Sequence, residues 1–199
     1  EVVGALVALP EGPIPDDLAK EIYGGRRRLR GQLLPQTLIT HSGLKESAQL
    51  RGVRIQRIAI HPKMQGRGLG SYLLREFGAQ VQGLGVDYGG TSFGATAPRL
   101  RFWERGGLWP CRVGITRSKS SGLNSAILLR PLSPKAEKTL NRGREAFRDT
   151  LLYLLGRALW ELDKNIALAL LLQVGEARGL PTPPIREKDL EPLAALAWG

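Results

Sequence analysis

VRIQRIAIHPKMQGRGLGSYLLREF, residues 53–77, changes its period halfway along. Up to Ile60 the residues alternate, with Val53 and Ile55 on one side and Arg54 and Gln56 on the other. That is the period of a half-buried strand, and Pro62 ends it. From Gly70 to Gln82 the apolar residues Leu73, Leu74, Phe77 and Val81 recur at helical spacing. Between the two stand Gly66, Gly68 and Gly70, at every second position. Glycines at a strand-to-helix turn let backbone amides approach an anion without interference from a Cβ, and the helix N-terminus adds partial positive charge. Arg67 in the loop can pair with a phosphate, and a pyrophosphate fits. The loop is not a Walker A motif, because no Gly-Lys-Ser/Thr follows at the required spacing. Nor is it the dinucleotide fingerprint, because the spacing is G-x-G-x-G and no acidic residue closes a second strand. As a bare pattern it also describes a tight turn with nothing bound.

Val2–Leu9 reads as a buried strand closed by Pro10, and Pro15-Asp16-Asp17 as the start of a helix carrying Leu18, Ala19 and Ile22 as far as Gly24-Gly25. Gln32–His41 fits either a short helix after Pro35 or a strand. Val86–Phe93 is a further strand, and Pro98–Arg105 a short helix stopped by Gly106-Gly107. Cys111–Thr116 and Ser125–Leu132 are two more strands, joined by the turn-rich SKSSGLN. This order predicts a mixed α/β fold. Beyond Pro134 the composition changes, and Lys135–Arg178 reads as two helices, the second being LLYLLGRALWELDKNIALALLLQV (151–174). Arg157, Glu161, Asp163 and Lys164 interrupt it, so no run reaches the roughly 18 apolar residues of a membrane span. It reads as a packing helix, lying on the α/β part or on a partner. The expected organisation is an α/β domain over 1–133 followed by a helical tail over 134–199.

The 199 residues carry a formal net charge of +11, unevenly placed. Residues 1–133 hold 19 Lys/Arg against 9 Asp/Glu, and residues 134–199 hold 10 against 9. Arginine dominates the basic excess and is the better bidentate phosphate ligand. A polyanion is the expected partner, RNA or DNA ahead of an anionic membrane, with plain solubilisation as the alternative. The single cysteine, Cys111, excludes an internal disulfide framework and a structural zinc cluster, and no metal site is expected. EVVGALVAL enters a strand pattern at once, without the basic segment of a secretory leader. The expectation is a piece of a longer cytoplasmic protein.

Gln65-Gly66-Arg67-Gly68-Leu69-Gly70 resembles the Q/R-x-x-G-x-G/A loop of the GCN5-related N-acetyltransferase (GNAT) superfamily, and RFWERGGL (101–108) resembles its fourth-helix motif. RGVRIQRIAIHPKMQGRGLG, DYGGTSFGAT, RVGITRSKSSGLNSAILLRPLS and the upstream RRRLRGQLLPQTLITH closely resemble the tRNA(Met) cytidine acetyltransferase family. The similarity covers residues 1–133 well and the tail poorly. It implies a GNAT-type mixed sheet with flanking helices, and transfer of acetyl from acetyl-coenzyme A to N4 of the wobble cytidine in elongator tRNA(Met). It also implies an ATP-using helicase-like module and the first strand and helices of the fold, all absent from this chain. The tail would pack on the α/β part or on that module. Two alternatives stay open: a GNAT enzyme acting on a protein or small amine, and a non-catalytic RNA-binding module.

By the same resemblance, the backbone of Ile58, Ala59 and Ile60 holds the pantetheine and the thioester carbonyl. Gln65, Gly66, Arg67, Gly68, Leu69, Gly70 and Ser71 hold the pyrophosphate, and Arg105 reaches a coenzyme phosphate. Trp103 stands where the superfamily often has a Tyr that protonates the leaving thiolate; an indole N–H cannot do so. His41 is the candidate general base, with a hydrogen-bonded loop histidine as the alternative. His61 has the same chemistry but sits at a His-Pro strand end. In GGRRRLRG (24–31), Arg26, Arg27, Arg28 and Arg30 suit RNA phosphate contacts, with Arg51, Arg54 and Arg57 as an extension of the patch. Trp103 or Tyr88 could stack on a base, with a place in the core as the alternative.

Overall fold

The computed structural model of the protein describes residues 2–176. In chain order the elements are β1 (Gly4–Glu11), α1 (Asp16–Tyr23), α2 (Leu33–His41), β2 (Gly52–Ile60), α3 (Leu69–Gln82), β3 (Tyr88–Gly94), α4 (Ala97–Arg105), β4 (Trp109–Arg117), β5 (Asn124–Pro131), α5 (Pro134–Leu155) and α6 (Lys164–Glu176). Short 3₁₀ turns lie at Lys45–Gln49 and Pro62–Met64. The strands form one mixed sheet in the order β1-β2-β3-β5-β4. Only β2 and β3 run parallel, joined by α3 as parallel neighbours require; the other pairs are antiparallel.

Two apolar clusters separate the faces of this sheet. On one, Ile55, Leu74, Leu100, Trp103, Val113 and Leu128 bring together β2, α3, α4, β4 and β5. On the other, Leu34 and Leu38 of α2 meet Tyr88, Cys111, Ile127 and Leu129. The alternation of β5 explains the division: Ala126 and Leu128 face α4, and Ile127 and Leu129 face α2. Helix α5 spans both clusters, with Leu140 in the second and Phe147 and Leu151 in the first. The expectation that the helices after 134 pack on the α/β part or on a partner resolves to the former for α5 and α6. Ile166, Leu170 and Val174 of α6 lie in the same cluster as Leu100 and Trp103.

Two expectations change, and two open readings resolve. Val2–Leu9 is not a buried strand: β1 is the outermost strand, its Leu6 and Ala8 pack inward, and Val3, Val7 and Leu9 are exposed on its other face. Gln32–His41, open between helix and strand, is helical from Leu33, because α2 can then seat Leu34 and Leu38 against β5. The apolar stretch from Leu151 is not one helix. α5 runs on to Leu155 and stops at Gly156, and α6 starts afresh where the Asp163 carboxylate accepts the amides of Asn165 (2.9 Å) and Ile166 (3.2 Å). Trp103 and Tyr88 are only 5% and 0% exposed, so neither is placed to stack on a base. Trp103 instead stacks on Phe93 and meets Phe102 edge-on, with ring centroids 6.0 and 5.1 Å apart.

Candidate active site

The ladder between parallel strands β2 and β3 runs from Gly52–Tyr88 to Ile55–Thr91 and stops there, although both strands continue. Beyond it β2 has five more residues and β3 three, and the two part. The last rung is tied by the Thr91 hydroxyl, which donates to the Ile55 carbonyl (3.1 Å). Along Gln56–Ile60 alternate residues therefore present N–H and C=O groups to a gap instead of to a neighbouring strand. On its other edge β2 pairs with β1, and there Val7 faces Arg57 while Ala8 faces Ile55, so one extra residue, Gln56, is inserted into β2. This bulge flips the alternation, and Ile58 and Ile60 end on the same sheet face as Val53 and Ile55, toward α3.

The glycine loop lies at the mouth of the gap. Gly66 and Gly68 have φ of +77° and +80°, and a Cβ on either would meet no atom within 4 Å, so conformation selects glycine there and the space above is open. Gly70 differs: a Cβ on it would stand 3.1 Å from a ring carbon of Phe102, so α4 packs against α3 at this point. Gly68 is the N-cap of α3 and brings no side-chain acceptor, and there is no acidic residue in the first turn. The amides of the first turn, Leu69, Gly70 and Ser71, consequently point outward as donors with the helix partial charge behind them. The Gln65 side-chain amide donates to the Ile60 carbonyl (3.0 Å) and closes the loop onto the end of β2.

These elements enclose a cleft of about 500 Å³ lined by Ile58, Ile60, Gln65, Gly66, Gly68, Leu69, Gly70, Ser71 and Arg105. Nine of the eleven positions named from the sequence are thus brought together; Ala59 and Arg67 are not among the lining residues. Met64 and Phe102 also line it and were missed. Phe102 carries a signal in hindsight, standing one residue before Trp103 in a motif rich in aromatics. A second recess of about 620 Å³ shares Ser71 and Arg105 and adds Arg75 and Arg130. The wall is thus apolar at the β2 end and cationic at the far end.

The other sequence candidates fall elsewhere. His61 is a turn cap: its Nδ1 accepts from the Lys63 amide (3.3 Å) and its own amide donates to the Val3 carbonyl (2.8 Å). His41 ends α2, on the sheet face away from α3 and α4, and does not line the cleft. Its pKa is lowered by partial burial and then by the charges of Arg112 and Arg28. Among the loop arginines, Arg27 approaches Glu21 at 3.6 Å. Arg54 does not extend the basic patch, because its guanidinium is paired with the fully buried carboxylate of Glu11. Cys111 is buried core, its thiol pushed up to about 12 by desolvation. No helix among the described residues is long and apolar enough to cross a membrane.

A splayed parallel pair with a glycine-capped helix at its mouth defines the class. Residues 1–85 match the family described as GNAT acetyltransferase 2, and the mixed sheet with its flanking helices is of the GNAT type. Its sequence relatives are narrower in kind. It is 40% identical over 198 residues to the tRNA(Met) cytidine acetyltransferase TmcA of Nitrosococcus halophilus (strain Nc4), covering 100% of this chain and 26% of that protein. It is 36% identical over 167 residues to the protein of the same name from Thermococcus sp. (strain AM4), covering 84% of this chain and 20% of that one. The chain therefore spans about a fifth to a quarter of the length of these relatives. Among solved structures it is similar to Arabidopsis thaliana NAA60 in complex with acetyl-CoA, at 16% identity and a TM-score of 0.44, covering 66% of each chain.

Proposed function

We propose that this chain is the acetyl-transfer portion of an RNA cytidine N4-acetyltransferase that binds acetyl-CoA in the cleft between β2 and β3 and acts on the wobble cytidine of tRNA(Met). The observation that carries the coenzyme is the conjunction of the ladder ending at Ile55–Thr91 with the uncapped N-terminus of α3. An extended amide chain can pair with the bare edge of β2, and a diphosphate can sit on the outward amides of Leu69–Ser71. Ile58, Ile60, Met64 and Phe102 supply the apolar wall for the pantetheine, and Arg105 a cation for phosphate. The name of the relatives, tRNA(Met) cytidine acetyltransferase, supports a cytidine acceptor.

Acetyl-CoA supplies an activated acetyl: cytidine N4 attacks the thioester carbonyl carbon, the C–S bond breaks, N4 gives up a proton and the departing sulfur gains one. The chain's own part is positioning and polarisation, because N4 is a weak nucleophile with its lone pair delocalised into the ring. Backbone N–H groups on the bare stretch of β2 are fixed donors for the thioester carbonyl, and they need no reorganisation as charge develops there. Trp103, buried and offering only an indole N–H, leaves the thiolate to solvent or to another group. Residues 1–133 form the transferase domain in this reading, with α5 and α6 appended as a helical tail; the rest of the expected tail, 177–199, lies outside the described residues. The ATP requirement and further RNA contacts belong to the remainder of the longer relatives, and a tRNA acceptor implies a cytoplasmic setting.

The test has two arms. Calorimetric titration of this chain with acetyl-CoA should show one site. The protein in its full length, with ATP, should transfer acetyl to a tRNA(Met) transcript and not to one whose wobble cytidine is replaced by uridine. Absence of acetyl-CoA binding, or transfer to polyamines or peptides with none to the transcript, overturns the reading.

A further inference from the structure

We propose that Arg28, His41 and Arg112 together form a docking site for a backbone phosphate of the RNA acceptor, on the sheet face opposite the coenzyme cleft. The proposal rests on the RNA-acetyltransferase reading and adds where the acceptor is held.

The three residues come from the α1–α2 loop, the end of α2 and strand β4, and the sequence does not pair them. The register of β4 does. Pro110 faces Leu128 and Arg112 faces Ile127, so Cys111 is an inserted residue. Ile127 belongs to the α2 side of the sheet, and Arg112, directly opposite it, projects to that side too. In an unbulged strand Arg112 would alternate with Cys111 and point the other way. Helix α2 runs over the same face through Leu34 and Leu38 and delivers His41 at its end. The charge of Arg28 bears on both His41 and Arg112, and that of Arg112 on His41, which puts all three within one electrostatic neighbourhood. On this face Arg144 of α5 also stands 5.3 Å over the ring of Trp109.

Among the described residues the neighbourhood lacks a counter-charge. Among the described residues Glu21 approaches Arg27, Glu46 holds Arg142, and Glu11 holds Arg54, and no carboxylate charge bears on His41 or Arg112. Among the described residues no ion pair reaches Arg28 or Arg112. Arg112 is moreover half-buried, so it has given up hydration without gaining a carboxylate. Two guanidiniums and an imidazole in one electrostatic neighbourhood fit an anion rich in acceptor oxygens, and the fork of arginine matches phosphate in two-point contact. The coenzyme's own phosphates are accounted for on the far face, which leaves the nucleic acid. Its position is suitable, since a base entering the gap between β2 and β3 from the α2 side would trail its backbone across this face.

Fluorescence anisotropy of labelled tRNA against this chain, repeated across potassium chloride concentrations, reads the site. Arg112→Gln and Arg28→Gln should each weaken binding about tenfold and reduce the log–log salt slope by about 0.7–0.9, the value of one lost phosphate contact. Arg112→Lys should restore the slope but only part of the affinity. Acetyl-CoA affinity, measured in parallel, should stay within twofold. The chain has two histidines, so proton NMR supplies a direct reporter: the His41 ring resonances should move on adding a short RNA while those of His61 serve as reference. Unchanged affinity and slope in the exposed-loop variant Arg28→Gln overturns the site whatever Arg112→Gln does to the fold. Equal competition by polyglutamate at matched charge overturns its assignment to nucleic acid. Loss of acetyl-CoA binding in the parent chain is the separate failure of the coenzyme reading.

Discussion

Replacing Gly68 by Glu separates the fold of the loop from its ligand. At φ +80° any residue but glycine costs about 1–2 kcal/mol. The new side chain meets nothing within 4 Å at its Cβ, so no packing penalty is added. A carboxylate at the N-terminus of α3 regains about 0.3–1 kcal/mol from the helix partial charge. The net loss is about 1 kcal/mol, a fall in Tm of about 2–4 °C for a chain of this size, and the protein stays folded. Binding suffers far more. The carboxylate fills the space a diphosphate would occupy and satisfies the amides itself. Two lost hydrogen bonds to a charged group, at about 1.5–3 kcal/mol each, weaken acetyl-CoA by a factor of about 10² to 10⁴. Calorimetric titration with acetyl-CoA beside a thermal melt reads both quantities. Gly68→Ala carries the same strain with only a methyl and no charge in the cleft, and should lose much less affinity than Gly68→Glu. If Gly68→Glu melts within a few degrees of the parent and still binds within threefold, the loop does not hold the diphosphate.

Further expectations follow from particular contacts. Gly70→Ala sets a methyl 3.1 Å from the Phe102 ring and should cost about 1–2 kcal/mol in urea unfolding, with part recovered in the double variant carrying Phe102→Leu; additive effects would mean that the ring yields freely. Glu11→Ala leaves the Arg54 guanidinium and the Leu34 amide, which donates to Glu11 at 2.7 Å, without their partner. It should destabilise by about 3–5 kcal/mol, and Glu11→Gln by less, since it keeps an acceptor; a loss under 1 kcal/mol for Ala would refute the pairing. The Cys111 thiol, at its ordinary value near 9 when unfolded and about 12 when folded, holds its proton longer in the native state. Its contribution is full below pH 9 and is lost between pH 9 and 12, at about 1.4 kcal/mol per pH unit. Cys111→Ala should flatten that alkaline limb, and thiol reagents should label the native protein only on unfolding.

The strand–loop–helix unit over 53–82 was legible in the sequence because its signals are local. Period two, period 3.6 and a glycine that must take a positive φ are each set by residues within one or two turns of one another. So was the candidate coenzyme site, since its loop is contiguous and the resemblance fell on the same residues. The helix break at Gly156–Asp163 was also written locally, as a glycine followed by a capping Asp, and was overlooked because the apolar run around it dominates the reading.

What only the tertiary structure decided depends on partners far along the chain. Whether β1 is buried is a matter of its place at the sheet edge, not of its composition, which is the same in either position. Bulges at Gln56 and Cys111 reverse the facing of every residue after them, and a bulge is a relation between two strands that neither spells alone. They bring Ile58 and Ile60 to the cleft and turn Arg112 toward α2. Arg54 reads as one more basic residue until Glu11, 43 positions away, is found against it. Phe102 is a wall of the site only because α4 returns across Gly70. The sequence by itself determined which segments are strand, loop and helix, and which loop can cradle an anion. The pairing of strands then decided which charges are neutralised, which remain for a ligand, and on which face of the sheet each is presented, because those properties arise from distances that local periodicity does not encode.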